Sequence, residues 1–272
     1  MTNSILSIMK IVVGFLSKSS ALITDGIHSF SDLITDFVAV FGNFLASKPA
    51  DSKHPYGHGM LEYITSSIIG FLILMLGLGL IGKISNSEVV IPSSIVILVS
   101  LFTIIAKKVL SSYVIMQGRK LENNILIASG KESNTDVYSS LVVLLASILV
   151  QFHNIFPYFK YADKVASIIV SIFIVKTGYD VIKDNLITLI GEQESEENIE
   201  HIRKIIDQEK EVKVIDKLVV LKYGGYYKII LEVSMDGNLS LKESHDKMEQ
   251  LENEILKKIK KAKYIIIHIN PY

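Results

Sequence analysis

The sequence predicts an α-helical membrane protein, with six transmembrane helices followed by a small α+β domain. Hydrophobic residues fill 49% of the 272 positions and the mean hydropathy is +0.40, both high for a soluble chain. Charge is unevenly placed, because residues 191–272 carry 14 of the 28 Lys/Arg and 16 of the 28 Asp/Glu. This shift predicts a boundary near Gly191, with a membrane domain over residues 1–190 and a soluble domain over residues 191–272.

The first domain contains apolar segments close to the ~20 residues that cross a bilayer. The six segments are predicted at Asn3–Leu16, Ala21–Ala46, Tyr63–Gly82, Val89–Gln117, Asn124–Val150 and Ala162–Ile182. The first segment is short, but it lacks the basic region and cleavage pattern of a signal peptide. We therefore expect it to be a membrane helix.

Basic residues are concentrated after the second and fourth segments. These loops hold Lys48, Lys53, Arg119 and Lys120, with Lys107 and Lys108 just inside the fourth segment, whereas the other loops hold Lys83, Lys160 and Lys164. The positive-inside rule therefore predicts a multi-pass protein of the cell membrane with both termini in the cytoplasm.

The soluble domain has an α-β-β-α-β pattern. Helical periodicity covers Asn198–Glu209 and Leu241–Ile259, and β-rich runs cover Val212–Leu221, Tyr226–Met235 and Tyr264–Ile269. Gly224-Gly225 is suited to a hairpin turn between the first two strands. This order predicts a two-layer domain with its helices on one face of a sheet.

Ionisable residues interrupt two of the apolar segments. The second segment carries acidic residues and a histidine at intervals of three or four positions, which places them on one helix face: Asp25, His28, Asp32 and Asp36. The fifth segment carries Glu132 and Asp136 in the same way. Polar residues in membranes often only join helices by hydrogen bonds. Charged groups at bilayer depth are expensive, however, and persist mainly where they face a cavity that handles ions or protons.

A metal site is the function that these residue types favour. His28, Asp32, Glu132 and Asp136 supply one nitrogen and three carboxylates. Four ligands of this kind suit tetrahedral Zn²⁺, and the oxygen-rich set also suits Mn²⁺ or Fe²⁺. Metal ligands must be deprotonated, so metal and protons compete for one site and the sequence predicts a metal/proton antiporter. A metal-gated channel or a membrane metal sensor with the same ligands is the alternative.

A second cluster lies in the loop after the second segment. Asp51, His54 and His58 are spaced for a surface metal site, although a solvated loop explains them equally well.

Several other classes are excluded or disfavoured. The chain has no Cys, which excludes disulfides, thiolate ligands and cysteine nucleophiles. Its net charge is zero and it has no basic block, so no nucleic-acid partner is expected. The HExxH motif of metalloproteases is missing, and GLGLIGK (Gly77–Lys83) lies in a membrane segment rather than after a strand, unlike a nucleotide-binding loop. We therefore expect a transporter rather than an enzyme.

Four motifs resemble those of the cation diffusion facilitators, a family of zinc, manganese and iron exporters. They are TDGIHSFSD (Thr24–Asp32), HPYGHGMLEY (His54–Tyr63), ASGKESNTD (Ala128–Asp136) and IIIHINP (Ile265–Pro271). The resemblance covers essentially the whole chain. It implies a homodimeric metal/proton antiporter with six spans and a ferredoxin-like cytoplasmic domain.

The resemblance also assigns roles to individual residues. The transport site maps onto His28, Asp32, Glu132 and Asp136, the loop site onto Asp51, His54 and His58, and the tail sites onto Asp216, Glu232, His245 and His268. Zinc-selective members usually carry His where this chain has Glu132, and the tail has Asp216, Glu232 and Asn270 where His and Asp are common. Zinc is therefore the first expected cargo, with weaker discrimination against manganese and iron(II).

Overall fold

The computed structural model describes residues 2–120 and 124–272, without side chains at positions 2, 39, 43, 118, 124–129, 132 and 135. The helices are α1 (Thr2–Leu16), α2 (Ser20–Ala46), α3 (Leu61–Ser85), α4 (Ile95–Lys120), α5 (Asn124–Gln151), α6 (Ala162–Leu189), α7 (Glu196–Ile206) and α8 (Leu241–Lys258). The strands are β1 (Val212–Tyr223), β2 (Tyr226–Met235) and β3 (Ala262–Pro271). A short 3₁₀ helix, Pro157–Tyr161, precedes α6.

The fold class is confirmed, because a helical transmembrane region precedes an α+β domain. In the described part of the chain, four helices are long and apolar enough to cross a membrane, namely α2, α3, α4 and α6. Helix α1 and the described apolar stretch of α5, Asp136–Gln151, are shorter. At 1.5 Å per residue, the 15 residues of α1 extend about 22 Å.

Two helices differ most from the apolar segments predicted for them. Helix α4 begins at Ile95 rather than Val89, because Pro92 lies in the preceding segment and a helix interior does not accommodate proline. Helix α6 continues to Leu189 instead of ending at Ile182. The predicted segment covered only the mainly apolar part of the helix, but a helix needs apolar residues only while it lies in hydrocarbon.

The chain forms two compact units, one of residues 1–37 and 69–181 and the other of residues 38–68 and 182–272. In the first unit, α4 and α5 pack along their lengths, and small residues let helices approach closely. Gly178 of α6 faces the backbone of Leu74 in α3, where an added Cβ would lie 2.5 Å from the Leu74 nitrogen. The sequence division at residues 190/191 stays a prediction.

In the second unit, a three-stranded sheet in the order β1-β2-β3 packs against α7 and α8. Strands β1 and β2 are antiparallel, and β2 and β3 are parallel and joined through α8. The predicted α-β-β-α-β order and the turn at Gly224-Gly225 are confirmed, with φ = +67° at Gly224. Helix α8 begins with a capping box between Ser240 and Glu243. The core combines side chains of both helices with the inner face of the sheet.

The loop between α2 and α3 lies against the β1–β2 hairpin within this second unit. The hydroxyl of Tyr226 donates to the carbonyl of Tyr56 over 2.6 Å and accepts the N–H of Gly59 over 3.2 Å. Gly59 must lack a side chain, because a Cβ there would lie 2.2 Å from the carbonyl oxygen of Tyr223. Tyr63 exchanges hydrogen bonds with the backbone of Gly224. The loop is therefore fixed by specific contacts.

Candidate metal centre

Three of the four predicted transport ligands meet inside the helical unit. His28 and Asp32 lie one turn apart on α2 and Asp136 lies on α5, and one ligand atom from each lies within 4.8 Å of the others. The Nδ1 of His28 is 3.8 Å from an Asp32 oxygen. Glu132 lies one turn before Asp136 on α5, but its side chain is outside the described residues, so the fourth ligand stays a prediction.

The site borders two cavities, the larger lined by all three side chains and the smaller by Asp32 and Asp136. The larger cavity, about 450 Å³, is also lined by Tyr138, Ser139, Phe173, Lys176, Thr177 and Asp180. A smaller one, about 40 Å³, contains Asp32 and Asp136 together with Asn3, Ser29, Leu33, Asp36, Lys107 and Ser133. Asp32 and Asp136 are common to both. A cation held by them would therefore lie between the two cavities.

His28 has the environment of a ligand. Only 7% of its surface is exposed, and within the described residues its Nδ1 has no hydrogen-bond partner. A buried polar atom without a partner is unfavourable unless something else satisfies it. A neutral imidazole nitrogen beside two carboxylates suits a divalent cation.

The sequence analysis missed a buried lysine beside the site. Lys107, on α4, is 1% exposed, and its Nζ donates to Oδ2 of Asp136 over 2.9 Å and to Ser29 over 3.1 Å. Its position near the end of the fourth apolar segment predicts only a charge that flanks the membrane. The signal that could have found it is its place in an apolar run, because a lysine at that depth needs a partner.

A second buried lysine, Lys10, forms an ion pair with Asp25. Lys10 of α1 is 2.7 Å from Asp25 and also donates to Ser140 over 2.8 Å and to Ser29 over 3.2 Å. Ser139 and Ser140 each donate to one oxygen of the same carboxylate. Asp25 therefore joins α1, α2 and α5, which is the role of helix contact rather than of cation ligand.

The loop cluster also comes together. Oxygens of Asp51 lie 3.2 Å from Nδ1 of His54 and 3.4 Å from Nε2 of His58, and one ligand atom from each of the three residues lies within 4.8 Å of the others. The backbone N–H groups of His54 and Lys53 donate to Asp51 and lower the pKa of its carboxyl. The other nitrogen of His58 contacts the carbonyl of Pro49. The cluster is exposed and has the ligand types of a surface metal site.

The tail residues are dispersed over the domain. Asp216 accepts hydrogen bonds from Ser234 and Asn270, which lower the pKa of its carboxyl. Glu232 pairs with Lys217 and lies opposite His268 in the β2–β3 register.

His245 lies apart from those strand residues, on the exposed face of α8. It groups with its neighbours Asp246 and Glu249. Within the described residues, Asp216, Glu232, His245 and His268 do not form one cluster of ligand atoms.

Comparison with known proteins covers nearly the whole chain. The family model of the cation efflux transmembrane domain matches residues 1–190, and that of the cation efflux protein cytoplasmic domain matches residues 195–272. The manganese efflux system protein MneP of Bacillus subtilis is 30% identical over 275 residues, covering 99% of this chain and 93% of the relative. An uncharacterized transporter of Methanocaldococcus jannaschii is 32% identical over 268 residues (92% and 91%). The manganese efflux system protein MneS of Bacillus subtilis is 24% identical over 274 residues (98% and 91%).

Proposed function

The chain belongs to the cation efflux family, and from that premise we propose that it exports divalent metal cations from the cytoplasm in exchange for protons. The family membership establishes a multi-pass membrane transporter of divalent metal cations, and not an enzyme. The direction, the coupling ion, the metal and the residues that hold it belong to the proposal.

One observation carries the proposal, namely the convergence of His28, Asp32 and Asp136 beside two cavities of the helical unit. His28 and Asp32 lie on α2 and Asp136 lies on α5, so the ligand set depends on how these two helices pack. Transporters that alternate between two states use sites of this kind, because a relative movement of helices exposes the same ligands first to one side and then to the other.

We propose Mn²⁺ as the main cargo. Two of the relatives are named manganese efflux system proteins. The ligand set is rich in oxygen, which suits Mn²⁺, and Glu132 would add a further carboxylate. Zinc, ranked first from the sequence, is the rival cargo because mixed nitrogen and oxygen sites bind Zn²⁺ more tightly than Mn²⁺. Fe²⁺ lies between them in that order of affinity.

Proton exchange follows from the ligand chemistry. His28 must be neutral and the carboxylates ionised to bind metal, so proton binding and metal binding oppose each other at one site. We propose that both termini face the cytoplasm and that two copies of the chain form a homodimer.

The proposal is tested by Mn²⁺ flux into proteoliposomes with an imposed pH gradient. An acidic lumen should drive Mn²⁺ uptake by the wild type, and Asp136→Ala should abolish it. Asp184→Ala, which removes an exposed carboxylate of α6, is the matched control and should transport normally. Uptake that follows the Mn²⁺ gradient alone would instead identify a channel, and no flux of Mn²⁺, Zn²⁺ or Fe²⁺ under any gradient would contradict transport by this chain.

A further inference from the structure

We propose that Lys107 is a built-in cation that competes with the cargo for Asp136 and so limits how tightly the transporter holds its metal. The inference rests on the proposed function, because the competition matters only if Asp136 is a ligand of the transported ion.

The geometry places the ammonium where it interferes with the metal. Nζ of Lys107 is 2.9 Å from Oδ2 of Asp136, and Asp136 shares its cluster with His28 and Asp32. A cation that approaches this carboxylate therefore meets an oxygen that is already bonded to a positive charge. A metal must displace the ammonium, share the carboxylate with it, or use the other oxygen.

The surrounding charges leave Asp136 as the main partner of Lys107. The other buried ammonium, that of Lys10, is 2.7 Å from Asp25, which thereby has its own counter-ion. Ser29 accepts a hydrogen bond from each lysine, at 3.2 Å and 3.1 Å, and so lies between the two ammonium groups. Lys107 is thus confined beside Asp136, and only 1% of the residue's surface is exposed.

Because Lys107 is buried, its positive charge repels a nearby dication strongly. Charges that are poorly solvated interact much more strongly than charges in water, because the effective dielectric constant is lower. A fixed positive charge beside a dication lowers the affinity of the site for that dication. When the metal leaves, the same ammonium compensates Asp136, so the empty site does not retain an uncompensated carboxylate that is largely shielded from water.

This role has a consequence for the transport cycle. An exporter must bind its cargo on one side and release it on the other, and a site that binds too tightly releases slowly. Lys107 therefore favours release. Replacing it by a neutral residue should lower both the Mn²⁺ concentration at half-maximal rate and the maximal rate.

A purely structural role makes the opposite prediction. If Lys107 only joins α4 to α5, its loss loosens the position of Asp136 and weakens metal binding. If Lys107 competes, its loss strengthens metal binding. The sign of the change in Kd therefore separates the two roles.

The experiment is a Mn²⁺ titration of the purified full chain at pH 8, where proton competition is small, together with Mn²⁺ flux in proteoliposomes. Binding that remains in Asp136→Ala is subtracted, which removes any contribution of the loop cluster. Lys107→Met removes both the charge and the hydrogen bonds, Lys107→Gln removes the charge but keeps a donor, and Lys107→Arg keeps the charge. Lys108→Met is the matched control, because Lys108 is the next residue of α4 but is exposed and bonds to Asn134.

We expect Kd for Mn²⁺ to fall about tenfold or more in Lys107→Met and Lys107→Gln, with slower maximal flux. Lys107→Arg and Lys108→Met should stay within about threefold of the wild type. If Lys107→Met does not fold, Lys107→Gln decides the question, because it retains a link between α4 and α5. An unchanged or higher Kd for Mn²⁺ in the folded Lys107→Met and Lys107→Gln variants overturns the inference. In that case, Mn²⁺ flux by the wild type still supports the proposed function. A wild type that neither binds nor transports Mn²⁺, Zn²⁺ or Fe²⁺ overturns the proposed function itself.

Discussion

The hydroxyl of Tyr226 forms two of the hydrogen bonds that hold the loop between α2 and α3 on the β1–β2 hairpin, and its removal should loosen that loop. Tyr226 donates to the carbonyl of Tyr56 and accepts the N–H of Gly59. Burial raises the pKa of Tyr226, so the hydroxyl keeps its proton and can donate at neutral pH. Tyr226→Phe retains the ring and removes both hydrogen bonds.

The magnitude follows from what each partner loses. A hydrogen bond contributes about 0.5–1.5 kcal/mol, and a buried donor left without a partner costs about 1–3 kcal/mol. Tyr56 is 39% exposed, so water can replace the donor to its carbonyl, whereas Gly59 is buried and its N–H stays unpaired. We therefore expect local opening of the loop to become easier by about 2 kcal/mol.

Hydrogen exchange of the full chain in detergent micelles, read by mass spectrometry, measures this local opening. Amides of residues 51–63 should exchange roughly thirtyfold faster in Tyr226→Phe, and those of α7 and α8 should be unchanged. Tyr264→Phe is the control. Its ring centroid lies 5.5 Å from that of Tyr56 and 5.9 Å from that of Tyr226, but within the described residues its hydroxyl makes no hydrogen bond. Equal exchange in the wild type and Tyr226→Phe, or equally faster exchange in both variants, would show that the hydroxyl does not hold the loop.

Three further predictions concern stability. Gly178→Ala should destabilise the chain by about 1–3 kcal/mol in thermal unfolding, because the new Cβ would lie 2.5 Å from a backbone nitrogen of α3. The control Gly82→Ala adds a methyl group in open space and should leave the stability unchanged. Lys10→Met should destabilise the chain by about 3–5 kcal/mol, because it leaves the buried Asp25 carboxylate without its ammonium partner. In the same assay, Lys10→Met/Asp25→Leu should lose less stability than Lys10→Met, and a greater loss would contradict this. Burial raises the pKa of Tyr227 to about 12, so the folded state keeps a proton that the unfolded state loses near pH 10. Stability should therefore fall between pH 10 and pH 12, and alkaline unfolding of Tyr227→Phe should lack that contribution.

The fold could be predicted because its signals are local. Hydropathy located the long membrane helices, and the change from apolar runs to alternating residues located the strands of the tail. The errors came where hydropathy alone does not mark the end of a helix. Helix α6 extends beyond its apolar segment to Leu189, and the start of α4 depends on Pro92 rather than on hydropathy.

The site could be predicted only in part. The spacing of His28 and Asp32 placed them on one face of α2, and the structure brings them to Asp136. Lys107 and Lys10 could not be assigned, because the carboxylate that each one contacts depends on how α1, α2, α4 and α5 pack. From the sequence, Lys107 is a flanking charge, and no role was inferred for Lys10. The loop site likewise gave no sign that its loop is fixed to the hairpin.

The most direct test of the central claim is to locate Mn²⁺ itself. Anomalous diffraction near the manganese absorption edge, from crystals of the full chain grown with Mn²⁺, should show a peak at bonding distance from His28, Asp32 and Asp136. Crystals of Asp136→Ala should lack that peak while keeping any peak at the loop cluster. A wild-type crystal with Mn²⁺ at the loop or tail residues but not between α2 and α5 would contradict the assignment of the transport site.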